Sequence, residues 1–320
     1  MATLTGIHHI SAITGDVQRN VDFYTTVLGL RMVKKTVNFD DPGTYHLYYG
    51  DETGTPGTLL TFFGWTGARR GQQGAGQTGA IAFAVPPGSL DYWDARLREH
   101  DVIVGERSAR FGDDVLAFVD PDGQPLELIP QPGVETLPTW GDGPVPSEQA
   151  IRGFHSVTLW ESDPTQTERL LTEVFGFERT GQEGSRTRYL AADGGIGTRV
   201  EIMSVPGSEW AVGGSGTVHH VAFRTPDDAQ QLEWMTSLRA LGLNVTPVQP
   251  RFYFNSIYFR EPGGVLFEIA TDPPGMTVDE PLETLGQALK LPPWYESQRA
   301  VIEQQLPPLR QPSVEGDPRG

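Results

Sequence analysis

Residues Gly6–Ile10 read GIHHI and residues Thr217–Phe223 read TVHHVAF. Two matching histidine doublets therefore consume four of only seven histidines. Each doublet opens a strand-like run, and strand alternation separates its members. In the first run His8, Ile10 and Ala12 share one face, while His9 and Ser11 share the other. In the second, His219, Val221 and Phe223 fall together and His220 falls with Ala222. Val221 and Phe223 make an apolar face for a covering helix, so His220, and His9 with it, look into the opposite face.

Working outward, each doublet begins a unit of strand, helix and three further strands, and the unit recurs four times. The first runs from Ile7–Ile13 through a helical period at Asp16–Leu28, ended by Gly29, to strands reaching Phe63. The second starts with GAIAFAVP (Gly79–Pro86) and ends in PLELIP (Pro125–Pro130). The third starts with GFHSVTL (Gly153–Leu159), has a helix near Thr165–Phe175 stopped at Gly176, and ends in RVEIM (Arg199–Met203). The fourth has a helix near Asp227–Leu241 and ends in GGVLFEIA (Gly263–Ala270). Aligned by first strands, His9, Ala80, Ser156 and His220 coincide, and in the last strands Glu127 stands opposite Glu268.

Glu268 alternates away from Val265, Phe267 and Ile269, and a carboxylate beside Leu266 and Ala270 is costly to bury without a partner. His9, His220 and Glu268 together form a 2-His-1-carboxylate set, which leaves metal positions open and points first to Fe(II), with Mn(II) or Zn(II) behind it. Bringing them together requires unit one to pair with unit four and unit two with unit three. Glu127, His155 and Glu201 offer a second, false set: Ser156 holds the ligand place there, and His155 aligns with His8 and His219.

Composition sets the outer limits. The chain has 320 residues, room for about two domains, and no cysteine, which excludes disulfides, zinc–thiolate sites and cysteine nucleophiles. A net charge of −17 argues against nucleic acid or an anionic membrane as partner. With no apolar run of membrane-spanning length and no basic-then-apolar start, a cytoplasmic location is expected. The 38 glycines and 26 prolines suit short strands joined by turns. They cluster in Gly64–Thr78, in the linker QPGVETLPTWGDGPVPSEQ (Gln131–Gln149), and after Asp272. The proline-rich end is expected to wrap the surface, with a short helix in Trp294–Leu306 packing on a neighbour and the stretch after Leu306 dispensable.

Four such units, strand-initial HH[IV] and a terminal GG-x-x-x-E resemble the vicinal oxygen chelate (VOC) superfamily of glyoxalases, bleomycin-resistance proteins and extradiol dioxygenases. The resemblance covers residues 5 to 272. It implies an α+β fold of four βαβββ modules in two VOC domains that form curved mixed sheets. The first domain would span 5–131 (modules one and two), the linker 132–150, the second domain 151–272 (modules three and four) and the tail 273–320. The stretches Gly29–Phe63 and RFYFNSIYFREPGGVLFE (Arg251–Glu268) resemble the hydroquinone-type ring-cleaving dioxygenases, whose metal ligands come from modules one and four. That implies an Fe(II) enzyme taking a small aromatic 1,4-diol, halogenated or alkylated forms included, together with O2. A homo-oligomer stays open.

The same resemblance puts His8 and His219 beside the metal ligands as groups able to accept the phenolic proton. It puts Arg251 and Tyr258 on the substrate side and Ser11 where the group has threonine. Phe252, Phe254, Tyr253 and Trp65 are candidate walls for a flat ring. Three rival functions share the fold: a catechol extradiol dioxygenase, a glyoxalase-type isomerase, and a non-catalytic binding or resistance protein. The isomerases have four protein ligands, and Thr61 and Phe62 stand where the fourth would be.

Overall fold

The computed structural model describes residues 3–191 and 194–310. Module one contains β1 (Ile7–Thr14), α1 (Val17–Asp22), β2 (Arg31–Asn38), β3 (Asp41–Gly50) and β4 (Leu59–Gly64). Module two contains β5 (Gln77–Val85), α2 (Leu90–Glu99), β6 (Ser108–Arg110), β7 (Asp113–Val119) and β8 (Pro125–Pro130). Module three contains β9 (Gly153–Glu161), α3 (Thr165–Arg169), β10 (Glu178–Glu183), β11 (Arg186–Leu190) and β12 (Arg199–Ser204). Module four contains β13 (Thr217–Thr225), α4 (Asp228–Ala240), β14 (Gln249–Pro250), β15 (Asn255–Arg260) and β16 (Leu266–Thr271). A final helix, α5, spans Arg299–Gln305.

Two of the helices, α1 and α4, begin at side-chain caps. Asp16 accepts from Arg19 N before α1, and Asp227 from Gln230 N before α4, each satisfying a free N-terminal amide. In modules one and three the helix widens into a π turn, Phe23–Val27 and Leu170–Val174. Each then ends at a glycine with positive φ, Gly29 (68°) and Gly176 (81°).

Two eight-stranded mixed sheets result, ordered β14-β15-β16-β13-β1-β4-β3-β2 and β10-β11-β12-β9-β5-β8-β7-β6. Module one thus pairs with module four and module two with three, the arrangement that the histidine and glutamate positions demand. In both sheets the first strands of the paired modules lie antiparallel side by side, β1 against β13 and β5 against β9. Each module then adds its last strand in parallel, Ala222 beside Glu268 and Ser11 beside Thr61. The convex faces are packed under the helices: Val221, Phe223, Phe267 and Ile269 are all fully buried in one core with Phe175 and Trp234. Truncating such a residue, Phe223 to alanine for example, costs about 3–5 kcal/mol.

One departure from simple alternation decides the site. Against β13, Ile7 pairs with Phe223 but His9 with Ala222, leaving His8 as an extra residue. Ser11 pairs with His220 but Ala12 with Val218, leaving His219 as another. These two bulges correct the expectation that His8 and His219 face away from their neighbours: a bulge re-aims the side chain, and each ring lies against the histidine that follows it. The second sheet carries bulges at the matching places, Gly79 and His155.

The C-terminal tail wraps module one, as its prolines suggest, and packs on the same chain. Leu291, Ile302 and Leu306 enter the large core, and the fully buried Lys34 of β2 pairs with Asp279 and Glu280. Of the stretch expected to be dispensable, residues 311–320 lie outside the described part. No helix among the described residues is long and apolar enough to cross a membrane.

At the end of β9, Glu161 is fully buried, and neither of its oxygens has a hydrogen-bond partner among the described residues. Burial, with Glu261 nearby, pushes its carboxyl up to about 9. The folded form therefore holds this proton where the unfolded chain releases it, so this contribution to stability is complete below the ordinary carboxylate pKa. It declines, by at most about 1.4 kcal/mol per pH unit, as pH rises toward 9. Glu161→Gln should flatten this decline between pH 5 and 9. Parallel melting curves against pH for both proteins would refute the assignment.

Candidate metal centre and substrate cavity

The concave face of the first sheet brings three buried ligand atoms together. His9 Nε2 lies 3.2 Å from His220 Nε2 and 3.3 Å from Glu268 Oε2, and His220 Nε2 lies 2.9 Å from that oxygen. This is the only group of three or more potential ligands among the described residues. Ligands bonded at roughly 2.1 Å and 90° to one another stand about 3.0 Å apart, and the three separations match. Hydrogen bonding alone accounts for the cluster poorly: if both imidazoles donated to Glu268 Oε2 their N–H groups would crowd each other, and if only one did the other's lone pair would face the carboxylate. A divalent cation is what such a donor set accommodates.

The surroundings prepare each ligand. Burial alone would raise the Glu268 carboxyl, yet the imidazoles of His9 and His220 hold it well below the ordinary range. Burial lowers His220 against the pull of Glu268, which keeps its imidazole neutral and its lone pair available. Ser256 Oγ donates to the other oxygen, Glu268 Oε1, at 2.5 Å. His8 Nδ1 stands 2.9 Å from His9 Nδ1, and His219 Nδ1 stands 2.8 Å from His220 Nδ1. Each bulge histidine thus engages the nitrogen its neighbour does not turn to the cluster, the position that fixes a ligand's tautomer and orientation.

A cavity of about 510 Å³ opens beside the triangle. His9, His220 and His219 line it, Phe63, Trp65, Phe254 and Leu266 supply apolar wall, and Tyr258 and Arg251 face it with His46, Asn38, Asp40, Thr246 and Gln249. Tyr258 sits directly across from Glu268 in the β15–β16 pair. Burial and that carboxylate push its hydroxyl up, so it stays protonated at neutral pH. Arg251 Nε donates to Tyr258 Oη at 3.2 Å, while its Nη2 pairs with Asp40 at 2.9 Å.

Of the residues singled out from sequence, His9, His219, His220, Arg251, Phe254, Tyr258 and Trp65 line the cavity or the triangle. His8 lies behind His9, packed on Phe254 with ring centroids 5.0 Å apart. Ser11 is fully buried and bonded to Thr61 Oγ1 at 2.7 Å, away from the cavity lining. Phe252 also stays out of the lining, packing on Tyr253 and Trp294. Tyr253 is buried, and its hydroxyl donates to Asp279.

Sequence reading missed His46. Its Nε2 lies 2.9 Å from Thr61 Oγ1 and its Nδ1 3.0 Å from Tyr48 Oη, and burial lowers its pKa well below the usual value. The register offered a clue: Tyr48 faces Thr61 as Tyr258 faces Glu268, so His46 takes in module one the place of Ser256 in module four.

The second sheet fills the same frame with different side chains. His155 Nδ1 meets Ser156 Oγ at 3.1 Å, copying the doublet contact with serine in place of the ligand histidine. Glu201 is held by Arg110, Arg186 and Arg188, and Glu127 by Arg110, so arginines already neutralise both carboxylates. His155→Ala should leave metal content unchanged and cost about 1–3 kcal/mol of stability. Loss of metal from that variant would move the centre to the other sheet.

Residues 6–128 and 153–269 each match the Glyoxalase/Bleomycin resistance protein/Dioxygenase superfamily. The chain belongs to this superfamily. It is 49% identical over 304 residues to MhqO of Bacillus subtilis (strain 168), provisionally named a ring-cleaving dioxygenase, covering 95% of this chain and 96% of that one. It is 38% identical over 303 residues to a chlorohydroquinone/hydroquinone 1,2-dioxygenase of Sphingobium indicum, covering 91% and 92% respectively. A crystal structure of a provisionally named dioxygenase from Bacillus subtilis superposes with a TM-score of 0.92 at 48% identity, covering 97% of this chain and 99% of that one.

Proposed function

We propose that this protein is a metal-dependent dioxygenase that opens the ring of hydroquinones, with His9, His220 and Glu268 holding Fe(II). The observation that carries this reading is the buried triangle opening onto a cavity walled by aromatic rings, in a chain similar over most of its length to a hydroquinone dioxygenase. Coupling O2 to an electron-rich ring calls for a redox-active ion, which sets zinc aside, and two histidines with one carboxylate around open positions favour iron. When bound, iron supplies the electron transfer between ring and oxygen that neither can undertake directly.

The protein's own groups do the rest. Phe63, Trp65 and Phe254 exclude water from a flat ring and hold it at the mouth of the triangle. His219 presents an imidazole N–H at the cavity wall, placed to hydrogen-bond a ring oxygen. Tyr258 offers a hydroxyl hydrogen to an oxygen that gains charge, and Arg251 keeps that hydroxyl oriented. Both atoms of O2 enter the product, one at each end of the broken carbon–carbon bond.

The test loads the protein with Fe(II) without air, then adds hydroquinone and 18O2. Consumption of one O2 per ring-opened product, with two labelled oxygens by mass spectrometry, is expected. Faster cleavage of catechol than hydroquinone would overturn the substrate assignment. Turnover of methylglyoxal–thiol adducts without O2 uptake would make the protein an isomerase.

A further inference from the structure

Phe252 is one of three non-glycine residues with positive φ among the described residues, at 65°. It occupies the first central place in the hairpin tip between β14 and β15, where Tyr253 N donates to Arg251 O at 2.8 Å and Arg251 N to Phe254 O at 2.9 Å. That place ordinarily takes glycine, and a phenylalanine held there persists only when its surroundings enforce it. The two residues closing the tip, Arg251 and Phe254, are the ones that line the cavity.

The C-terminal tail supplies the enforcement. The Trp294 ring meets Phe252 edge-on at 6.2 Å and Phe39 at 5.6 Å. Tyr295 Oη donates to Phe39 O at 2.8 Å, and Gly275 N donates to Tyr253 O at 3.0 Å. Phe39 lies between Asn38 and Asp40, which line the cavity from the other side. The Arg251–Asp40 ion pair also joins the two sides, but it ends on a carboxylate whose side chain is 69% exposed, and such a pair contributes little.

We propose that Phe252 and Trp294 are positioning residues: a clasp between tail and hairpin tip that holds Arg251 and Phe254 against the bound ring. This rests on the hydroquinone reading only for its effect on substrate. Trp294 is about half exposed, so its replacement leaves the fold intact, and glycine at 252 accepts the backbone angle while deleting the ring.

The test compares Trp294→Ala, Trp294→Phe and Phe252→Gly with the parent protein. Hydrogen exchange should rise in residues 38–40 and 251–254 together in Trp294→Ala and Phe252→Gly, and return toward the parent in Trp294→Phe. Anaerobic hydroquinone binding and KM should weaken roughly 10-fold in the first two, with kcat within about threefold and metal content unchanged. Exchange unaltered in both segments overturns the clasp. Exchange raised but binding and KM unchanged overturns its role in positioning. Because exchange needs no substrate, it judges the clasp even if hydroquinone is the wrong ligand, a failure that the parent protein alone would reveal.

Discussion

The Glu268→Gln protein is expected to fold, to lose its metal and to lose ring cleavage with it. Glutamine keeps the shape and leaves an oxygen for the Ser256 hydroxyl, but it removes the single negative charge of the triangle. The two remaining ligands are imidazoles, and a divalent ion would then sit uncompensated in a fully buried site. Groups that merely orient a ligand are worth about 10–100-fold in metal affinity, so losing the charged ligand itself should cost at least about 100-fold. Metal per chain after dialysis, by plasma mass spectrometry, reads this directly. A second measurement separates metal loss from damage: the metal-free variant should keep the circular dichroism spectrum of the metal-free parent, because glutamine retains the side chain's shape and the acceptor for Ser256. Full metal occupancy in the variant would remove Glu268 from the ligand set.

The fold was legible in the sequence because its signals are periodic. Four repeats of the unit, glycines after the helices at Gly29 and Gly176, and aligned first and last strands needed no tertiary information. The three residues that the structure brings together in the triangle were aligned by the same repeat, since a residue two places along a strand keeps its face. What alternation concealed was the pair of bulges. An extra residue in one strand leaves no trace in composition, yet it changes where the next side chain points, so His8 and His219 read as facing away when each touches its neighbour. His46 was hidden for a different reason. Its partners Thr61 and Tyr48 are hydroxyl-bearing strand residues, and only the cross-strand register reveals them as the counterparts of Glu268 and Tyr258. The contacts of Trp294 with Phe39 and Phe252 join segments distant in the chain, where no local pattern reaches.

The bulges also predict that the two flanking histidines, alike in sequence, fail differently when removed. A histidine that offers Nε2 to a metal carries its proton on Nδ1, so His9 and His220 each donate to the Nδ1 of the histidine before it. His8 does nothing further at the cavity: it is buried behind His9 and Phe254, and its Nε2 has no partner among the described residues. His8→Ala should therefore weaken metal binding about 10–100-fold, and excess metal should restore most of kcat. His219 is exposed and lines the cavity beside Phe63 and Trp65, so it both braces His220 and meets the ring. His219→Ala should show the same loss of affinity and, at saturating metal, a further fall in kcat of about 10²–10³-fold, the worth of one placed hydrogen-bond donor. Metal titrations followed by steady-state kinetics at saturation distinguish the two. If excess metal restores His219→Ala as fully as His8→Ala, the cavity histidine orients a ligand and gives no hydrogen bond to the ring.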